Sequence, residues 1–375
     1  MARELCRGGI DLRVVTTNTD GPERTTDVPT GRWVEHEGVP VLYGRRLPGT
    51  VDLSWEAWNA IRREVPRSDL VHLTAIFSWM NLAVARVARR HATPVVVSPR
   101  GSLDPKALAF SVRKKVLFGR LGGDRALRDA SAFHVTSEME RDHVLARLPG
   151  ASIGLVPNGV TIPDDADLAR WAEEGRAAPY VLYLGRIHAK KNVLLLVEAW
   201  SAIAAHVPSA RLVIAGPDDR GHLAEVERRI AELGVGASVV RRSAVAGQEK
   251  ARLLAGAACL VLPSQTENFG NVVAEALAHG TPVIASTGTP WRGLIEHDCG
   301  WWIDPVAGPL QRAMTEALDA PRALRDARGR RGRDWMTASF SWPSVARRMA
   351  DFYRVVAAGR GVVGDAGLEP TTSCV

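Results

Sequence analysis

Cysteines are few in this chain, and long apolar runs are missing. The 375 residues include only four cysteines, which are scattered and form no C-x-x-C pair: Cys6, Cys259, Cys299 and Cys374. Zinc sites and secreted disulfide frameworks both need clustered cysteines, so the sequence predicts neither, and a reducing compartment is the default. No apolar run reaches the ~18 to 20 residues that a membrane-spanning helix requires. The length and a hydrophobic content of 46% favour two domains with apolar cores.

Positive charge is in excess, but it is unevenly distributed. Residues 1–157 hold 23 Lys and Arg against 17 Asp and Glu, whereas residues 158–375 hold 25 against 24. The basic first half favours an anionic bilayer or a phosphate-bearing lipid acceptor, with an ordinary solvated basic face as the alternative. No aromatic residues interleave with the charges and no base-reading motif is visible, so nucleic acid is not an expected partner. The densest cations are Arg113, Lys114 and Lys115, with Arg120, Arg125 and Arg128 downstream.

Residues 260–285 (LVLPSQTENFGNVVAEALAHGTPVIA) predict a parallel βαβ unit. An apolar run stops at a proline, a polar loop carries Glu267, a helical pattern carries Glu275, and a second apolar run follows. The first helical turn would offer the N–H groups of Phe269, Gly270 and Asn271 to a phosphate or a sugar hydroxyl. Each glutamate can accept hydrogen bonds from ligand hydroxyls, and Glu275 suits the paired hydroxyls of a ribose. The alternative is two solvated glutamates.

A second strand-to-helix junction lies about 80 residues upstream. Residues 180–185 (YVLYLG) predict a buried strand, and GRIHAKKN leads from it into an amphipathic helix. Arg186 and Lys191, beside a helix N-terminus, would suit a dianion such as pyrophosphate, because Arg gives a planar fork and Lys a point charge. Asn192 or a neighbour is the expected helix cap. The alternative is a pair of solvated surface cations.

Taken together, these segments resemble the retaining glycosyltransferases of family 4, the "glycosyl transferases group 1". The resemblance covers nearly the whole chain, from about residue 3 to residue 356, and its later segments point to the branch that builds exopolysaccharide, capsule or lipopolysaccharide sugars. The matching motifs are G-R-x4-K at 185–191, E-x7-E at 267–275 with NFGN and HGTPVIAS, VPNGV at 156–160, SPRGSLDP at 98–105 and TGTPWRGLIEHDCGWWIDP at 287–305.

The resemblance implies an α/β fold of GT-B type, with two Rossmann-like domains facing a cleft. The expected domains are an acceptor-binding domain at 1–157, a nucleotide-sugar-binding domain at 158–335, a helix at 336–358 that crosses back to the first domain, and a disordered tail at 359–375. Members of this family open with a strand and a Gly-rich loop before the first helix. Here the first residues already read as the end of that helix, so the first domain is expected to lack its first strand and Gly-rich loop.

The resemblance also implies a chemistry. A sugar would move with retention from a nucleoside diphosphate sugar to a glycan or polyprenyl-linked acceptor, in the cytoplasm and in peripheral contact with the anionic inner face of the plasma membrane. No cofactor and no metal are expected: no D-x-D motif occupies a suitable loop, and Asp218-Asp219 predicts a turn with a helix cap. Arg186, Lys191 and Glu267 are the expected catalytic residues. Donor binding is assigned to Gly185, Phe269, Gly270, Asn271, Glu275 and Arg100.

Two departures from the family pattern leave alternatives open. Many members carry a histidine where this chain has Arg100, and a guanidinium cannot act as a base, although it can donate to a hydroxyl or a phosphate. Arg100 is therefore either a donor-sugar ligand or a loop cation. The incomplete first domain raises the second alternative: a truncated, inactive protein that binds nucleotide sugar or takes part in an assembly.

Overall fold

The computed structural model describes residues 1–21, 24–50, 52–174 and 178–359. Its internal contacts divide the chain into two compact units. The first contains Met1–Pro157 together with the chain from Trp342 onward, and the second contains Asn158–Ser341. The predicted tail at 360–375 lies outside the described residues. In the described part of the chain, no helix combines the length and the apolar character needed to cross a bilayer.

The first unit combines a four-stranded parallel sheet with two smaller sheets. The larger sheet has the order β6-β7-β8-β9, β1-β5-β4 form a separate three-stranded sheet, and β2 and β3 form an antiparallel pair. The helices are α1 (Ala2–Arg7), α2 (Trp55–Glu64), α3 (Trp79–Arg90), α4 (Pro105–Leu108), α5 (Val112–Phe118), α6 (Asp124–Arg128) and α7 (Glu138–Arg147). The strands are β1 (Val14–Thr17), β2 (Thr19–Asp20), β3 (Arg24–Thr25), β4 (Trp33–His36), β5 (Val39–Gly44), β6 (Val71–Thr74), β7 (Val95–Ser98), β8 (Ala132–Val135) and β9 (Ile153–Leu155).

The second unit is a doubly wound α/β domain. Its six strands are all parallel, in the order β12-β11-β10-β13-β14-β15. The chain therefore builds outward from β10 on one side and then returns to build outward from β13 on the other. The helices are α8 (Asp165–Glu174), α9 (Val193–Ile203), α10 (His222–Glu232), α11 (Gly247–Gly256), α12 (Asn271–Ala278), α13 (Gly293–Glu296), α14 (Ala307–Asp319) and α15 (Arg322–Trp335). The strands are β10 (Tyr180–Leu184), β11 (Arg211–Ala215), β12 (Val239–Arg242), β13 (Cys259–Leu262), β14 (Val283–Ser286) and β15 (Gly300–Ile303).

The last helix, α16 (Trp342–Ala357), packs within the first unit. It buries Val345, Met349 and Phe352 in an apolar cluster that also contains Leu5 of α1 and Val96 of β7. A π-helical turn at Met336–Phe340 precedes it. The helix therefore begins six residues later than the helix expected at 336–358.

A chain of buried hydrogen bonds ties α16 to three strands of the first unit. The carbonyl of Val156 can only accept, so His134 donates to it through Nε2 (2.8 Å), and His134 Nδ1 accepts from Ser98 Oγ (2.7 Å). Ser98 Oγ in turn accepts from His72 Nε2 (2.6 Å), and His72 Nδ1 accepts from the Tyr353 hydroxyl (2.5 Å). Burial lowers the pKa of both histidines and favours their neutral forms, and neutral rings are consistent with this one direction of donation.

Among the strands that the sequence pattern does not predict, three have more than two residues: β4, β9 and β15. They have only three or four residues, and their side chains are mostly half-buried or exposed. Each is paired on one side only, at the edge of its sheet. Such edge strands carry neither a continuous apolar run nor a clear alternation, because only part of each strand is covered.

Candidate functional site

The candidate site lies where the carboxyl ends of β10 and β13 meet. These two neighbouring strands mark the point at which the strand order of the second unit reverses. In open α/β sheets, ligands bind in the crevice outside the strand ends at such a switch point. Backbone hydrogen bonds hold the loops there together: Gln265 N donates to Lys190 O, and Glu267 N donates to Gly288 O, each at 2.9 Å.

Lys191 and Glu267 are in direct contact at this point. Lys191 Nζ donates to Glu267 Oε1, and Ser264 Oγ donates to the same oxygen at 2.8 Å. The side chains are only 22% and 12% exposed, respectively. An ion pair that is largely shielded from water interacts more strongly than an exposed pair. The lysine follows β10 and the glutamate follows β13, and the fold thus joins the two predicted elements.

Arg186 also follows β10, but its side chain pairs with a different acid. Its Nη1 donates to Asp219 Oδ2 at 2.6 Å, and the arginine side chain remains 67% exposed. The Tyr183 hydroxyl donates to the Arg186 carbonyl at 2.7 Å and thereby fixes the turn, and burial raises the pKa of Tyr183. Asp219 lies in the loop after β11, at the same edge of the sheet. The structure therefore places Arg186 at the carboxyl ends of the strands, held by an acid that the sequence pattern did not assign.

Glu275 projects from the second turn of α12 and also has a partner of its own. Lys250 Nζ, on α11, donates to Glu275 Oε1 at 2.7 Å, and both side chains are about one-third exposed, at 31% and 30%. The structure therefore gives Glu275 a cationic neighbour that lies 25 residues away in sequence.

The start of α12 is held in shape by a buried tryptophan. Trp291 Nε1 donates to the Phe269 carbonyl at 2.5 Å, and the two rings pack edge to face with centroids 5.1 Å apart. Gly270 precedes the helix with φ of 80°, a conformation that favours glycine. Within the described residues, the N–H groups of Gly270 and Asn271 donate to no protein acceptor, as expected of a helix start. The Asn271 side chain accepts from Asn158 Nδ2 at 2.8 Å.

The ends of β10 and β11 approach each other closely because both are followed by glycine. A Cβ atom on Gly216 would lie 1.9 Å from the carbonyl oxygen of Gly185, which no side chain permits. Gly185 N donates to Ala215 O at 3.0 Å across the same gap. The predicted donor-binding residue Gly185 thus lies in a tightly packed turn between the two strand ends.

Two local expectations have different outcomes. Asn192 occupies the N-cap position of α9, as expected, but it adopts a left-handed conformation and its side chain makes no capping bond. The neighbouring His188 caps the helical turn Ala189–Lys191 instead, since its Nδ1 accepts from Lys190 N at 3.1 Å. The turn expected at Asp218 is confirmed, because its carboxylate accepts from Gly221 N and Leu223 N, each at 2.9 Å. Histidine is not a typical cap residue, so the sequence pattern did not single out His188.

Arg100 belongs to the first unit, whereas the other eight predicted site residues belong to the second. It follows β7 with φ of 52°, and Gly101 after it has φ of 75°. The buried carboxylate of Glu140 accepts from Gly101 N at 2.7 Å and from Thr136 N at 2.8 Å. Glu140 lies in the first turn of α7, and through these bonds it also shapes the loop that carries Arg100.

No group of three or more potential metal ligands is found among His, Cys, Asp and Glu side chains of the residues that the structure describes. Among the predicted residues, the groups that can contact a ligand at the switch point are two cations, two glutamates and the N–H groups at the start of α12. These groups can hold an anionic, hydroxyl-bearing ligand.

Comparisons with known proteins agree with this arrangement. The family model "Glycosyl transferases group 1" matches residues 170–335, and the model "Glycosyl transferase 4-like domain" matches residues 1–159. The fold and the strand-end site thus define a glycosyltransferase of GT-B type. This chain belongs to the glycosyl transferases group 1 family.

Individual relatives span most of the chain. The GDP-mannose:cellobiosyl-diphosphopolyprenol alpha-mannosyltransferase of Xanthomonas campestris is 30% identical over 325 residues, which cover 85% of this chain and 81% of that protein. The structure of a sucrose-phosphate synthase from Thermosynechococcus elongatus superimposes with a TM-score of 0.71 at 23% identity, covering 96% and 92% of the two chains. Anabaena Alr3699/HepE, crystallised with UDP-glucose, gives a TM-score of 0.67 at 18% identity, covering 85% and 86%. At these identities the two structures show the fold alone.

Proposed function

We propose that this protein is a retaining glycosyltransferase that moves a hexose from a nucleoside diphosphate sugar to a glycan or polyprenyl-linked acceptor. The observation that carries the proposal is the contact between Lys191 and Glu267 at the switch point of the second unit. It sets a cation for a phosphate and an acid for sugar hydroxyls side by side. A nucleotide sugar offers both groups within one small molecule.

The diphosphate would lie against Lys191, Arg186 and the start of α12. A lysine ammonium has three N–H donors, so Lys191 can keep its contact with Glu267 and still donate to a phosphate oxygen. Arg186 is exposed enough to turn from Asp219 toward the ligand. The N–H groups of Gly270 and Asn271, at the positive end of a helix, suit the same charge.

The sugar and the ribose would be held by acids and backbone groups. Within the described part of the chain, both side-chain hydrogen bonds of Glu267 use Oε1, and Oε2 can accept from sugar hydroxyls. Glu275 would accept from the ribose hydroxyls, and Phe269 would contribute its backbone to the sugar. Gly185 would admit the ligand close to the main chain. We assign Arg100 to the donor sugar as well, as a hydrogen-bond donor in place of histidine.

In the reaction, the bond between the anomeric carbon and the diphosphate oxygen breaks, and the electron pair leaves with the nucleoside diphosphate. Lys191 and Arg186 stabilise the charge that develops there. The acceptor hydroxyl then bonds to the anomeric carbon on the same face, and the leaving phosphate oxygen takes its proton, so configuration is retained. Since side chains and helix amides supply the positive charge, we propose that no metal is needed. A chelator added to the assay is expected to leave turnover unchanged, and loss of turnover that Mg²⁺ restores would contradict this.

We propose that the product contributes to a surface polysaccharide of exopolysaccharide or lipopolysaccharide type. The relative from Xanthomonas campestris supports this assignment, because its name specifies a diphosphopolyprenol-linked acceptor. A polyprenyl chain is held in a bilayer, so the reaction would occur in the cytoplasm at the anionic inner face of the plasma membrane. Transfer to a polyprenyl diphosphate-linked glycan, with NMR analysis of the anomeric configuration of the product, tests acceptor and retention together.

The Lys191→Ala variant tests the donor site. Because Lys191 would stabilise charge that develops in the transition state, its loss is expected to lower kcat about 10²- to 10³-fold, the range seen for a lost oxyanion donor. The neighbouring Lys190→Ala variant removes the same charge from the same loop and serves as the control, with kcat within a few-fold of the unaltered protein. Turnover is measured by release of the nucleoside diphosphate.

Two results would overturn the proposal. Equal kcat/KM for Lys191→Ala and the unaltered protein would remove Lys191 from the site. Tight binding of a nucleotide sugar without turnover on any acceptor would instead favour the alternative of an inactive binding protein.

A further inference from the structure

Exposed apolar side chains are concentrated on one short segment of the first unit. In the described part of the chain, thirteen large apolar side chains are exposed, and five of them lie within residues 110–121. They are between 48% and 56% exposed: Phe110, Val112, Val116, Leu117 and Leu121. Single exposed apolar residues are common, but a contiguous group on a folded protein marks a surface that another body covers.

The 110–121 segment is anchored to the unit by one residue. In α5, only Phe118 is buried, and it joins the apolar core beneath the helix. Its ring packs edge to face against Phe77 at 5.6 Å and Trp79 at 5.1 Å, and both of these rings are themselves exposed by about two-fifths. The helix thus turns most of its apolar residues away from the core, and two further aromatic rings extend the same apolar surface.

The charges within this segment have a single sign. Residues 105–123 contain three lysines and two arginines and no Asp or Glu. Arg113 and Lys114 are exposed on α5 between the apolar positions. Lys115 Nζ lies 5.1 Å from the centre of the Phe77 ring and donates to Ala107 O at 2.5 Å. Apolar side chains and cations therefore alternate along the exposed part of this segment.

More arginines border the end of the segment. Arg86 Nη2 donates to Leu121 O at 2.7 Å, and a cavity of about 460 Å³ next to Gly122 is lined by Arg86, Arg89 and Arg125. Asp129 pairs with two of them, Arg89 at 3.7 Å and Arg125 at 3.4 Å, and so offsets part of their charge. The surroundings of the segment remain positive.

We propose that the 110–121 segment, together with Phe77 and Trp79, is a docking surface for an anionic lipid bilayer. A helix that binds at the bilayer interface needs apolar side chains that enter the headgroup region. It also needs neighbouring Lys and Arg side chains that contact lipid phosphates. Tryptophan suits the same depth, because its ring is apolar and its N–H is polar. A second copy of this chain fits less well, because a two-fold interface would set the same cations against one another.

This inference deepens the proposed function, since it assigns the membrane contact to particular residues of the first unit. It rests on observations separate from the donor site, which lies in the second unit. Membrane binding is measured without sugar transfer, so failure of one proposal is distinguishable from failure of the other.

Vesicle sedimentation of the full-length protein tests the docking surface. The protein is mixed with vesicles of phosphatidylcholine alone or of phosphatidylcholine with phosphatidylglycerol. We expect binding to the anionic vesicles only, and weaker binding as salt is raised. The Arg113→Gln/Lys114→Gln variant is expected to lose about 25-fold in affinity, at about fivefold for each cation. The Val116→Ser/Leu117→Ser variant is expected to lose about tenfold or more, because binding also scales with buried apolar area.

Matched controls change equally exposed residues elsewhere. Ile295→Ser/Val306→Ser alters two exposed apolar side chains, and Arg228→Gln/Arg322→Gln removes two exposed cations, all in the second unit. Both controls are expected to bind the anionic vesicles as the unaltered protein does, and thermal unfolding checks that every variant is folded.

Three outcomes would overturn the inference. The first is equal binding to both kinds of vesicle, and the second is unchanged binding by both segment variants. The third is a concentration-dependent dimer, seen by analytical ultracentrifugation, that Val116→Ser/Leu117→Ser abolishes, because a second copy would then be what covers the surface.

Discussion

Among the predicted charged site residues of the second unit, Lys191 and Glu267 are the most shielded and Arg186 is the most exposed. The side chains are 22%, 12% and 67% exposed, respectively. Shielded charges act through a lower effective dielectric and are already oriented, whereas an exposed arginine must lose conformational freedom to bind. At the scale of single residues, Lys191 is therefore expected to contribute more to charge stabilisation than Arg186.

A second residue-scale prediction concerns Glu275. If its carboxylate accepts from ribose hydroxyls, the interaction is the same in the ground state and the transition state, because the ribose does not react. Glu275→Gln is then expected to raise KM for the donor about tenfold or more while kcat stays unchanged, as for a lost hydrogen bond to a charged group. Steady-state kinetics with the donor varied measure both constants. Glu249→Gln, an exposed glutamate on the adjoining α11, is the control, and a fall in kcat at unchanged KM would contradict the ribose assignment.

At the scale of elements, strands and helices are joined by polar contacts as well as by apolar packing. The hydrogen-bond chain from Tyr353 to Val156 links α16 to β6, β7 and β8 through two buried histidines. Burial lowers the pKa of His72 to about 3 and that of His134 to about 4, from an ordinary value of 6.5. Each neutral histidine ring donates one of these hydrogen bonds and accepts another. Protonation would turn the accepting nitrogen into a donor, and the hydrogen bond that it accepts would be lost.

These two histidines predict that the protein loses stability in acid. Since the pKa of each histidine is lower in the folded protein, the unfolded chain binds more protons below pH 6.5, and the free energy of unfolding rises with pH in that range. The contribution is complete above about pH 6.5 and is lost as the pH falls toward 4. For two histidines, we expect a loss of about 3 to 4 kcal/mol between pH 7 and pH 5. Urea unfolding over a pH series measures it.

The His72→Gln variant provides the comparison for that measurement. Glutamine retains a donor and an acceptor but does not titrate, so the variant is expected to be less stable at pH 7 and to show about half the decline attributed to the pair. His91→Gln, an exposed histidine of the same unit, is the control. If His72→Gln shows the full decline of the unaltered protein, His72 does not cause it.

At the scale of the whole molecule, the predicted site residues are divided between two compact units of similar size. The second unit carries eight of the nine predicted site residues, and the first carries Arg100 and the 110–121 segment. Because the two units have separate cores, a ligand of the second unit should stabilise that unit directly. Ligand-linked stability is therefore a measure of the donor site that needs no acceptor.

A thermal-shift screen of UDP, GDP and ADP and their sugar conjugates uses this linkage. At a ligand concentration of about 100 times Kd, the stabilisation is about 2.7 kcal/mol, which for a unit of this size is about 5 to 10 °C in Tm. We expect one base to give this shift and Arg186→Ala/Lys191→Ala to reduce it strongly. The absence of a shift with every nucleotide would contradict a donor site in the second unit.

Much of the second unit could be predicted because its signals are local. The strands at Tyr180–Leu184 and Cys259–Leu262 are continuous apolar runs, and the helix at Asn271–Ala278 follows a glycine and carries apolar residues at helical spacing. The strand order and the identity of the partners were not predictable in this way. Asp219 and Lys250 are ordinary charged residues in the sequence, and nothing near them indicates which arginine or glutamate they bind.

The sequence by itself determined most of the buried strands and the helices that follow them, the location of GR-x4-K and E-x7-E after buried strands, and the family that the chain resembles. These properties depend on short runs of neighbouring residues. Only the tertiary structure decided that Lys191 meets Glu267, 76 residues away, and that Tyr353 meets His72, 281 residues away. The physical reason is that strand order sets which loops share an edge of a sheet, and strand order depends on how the whole chain buries its apolar surface.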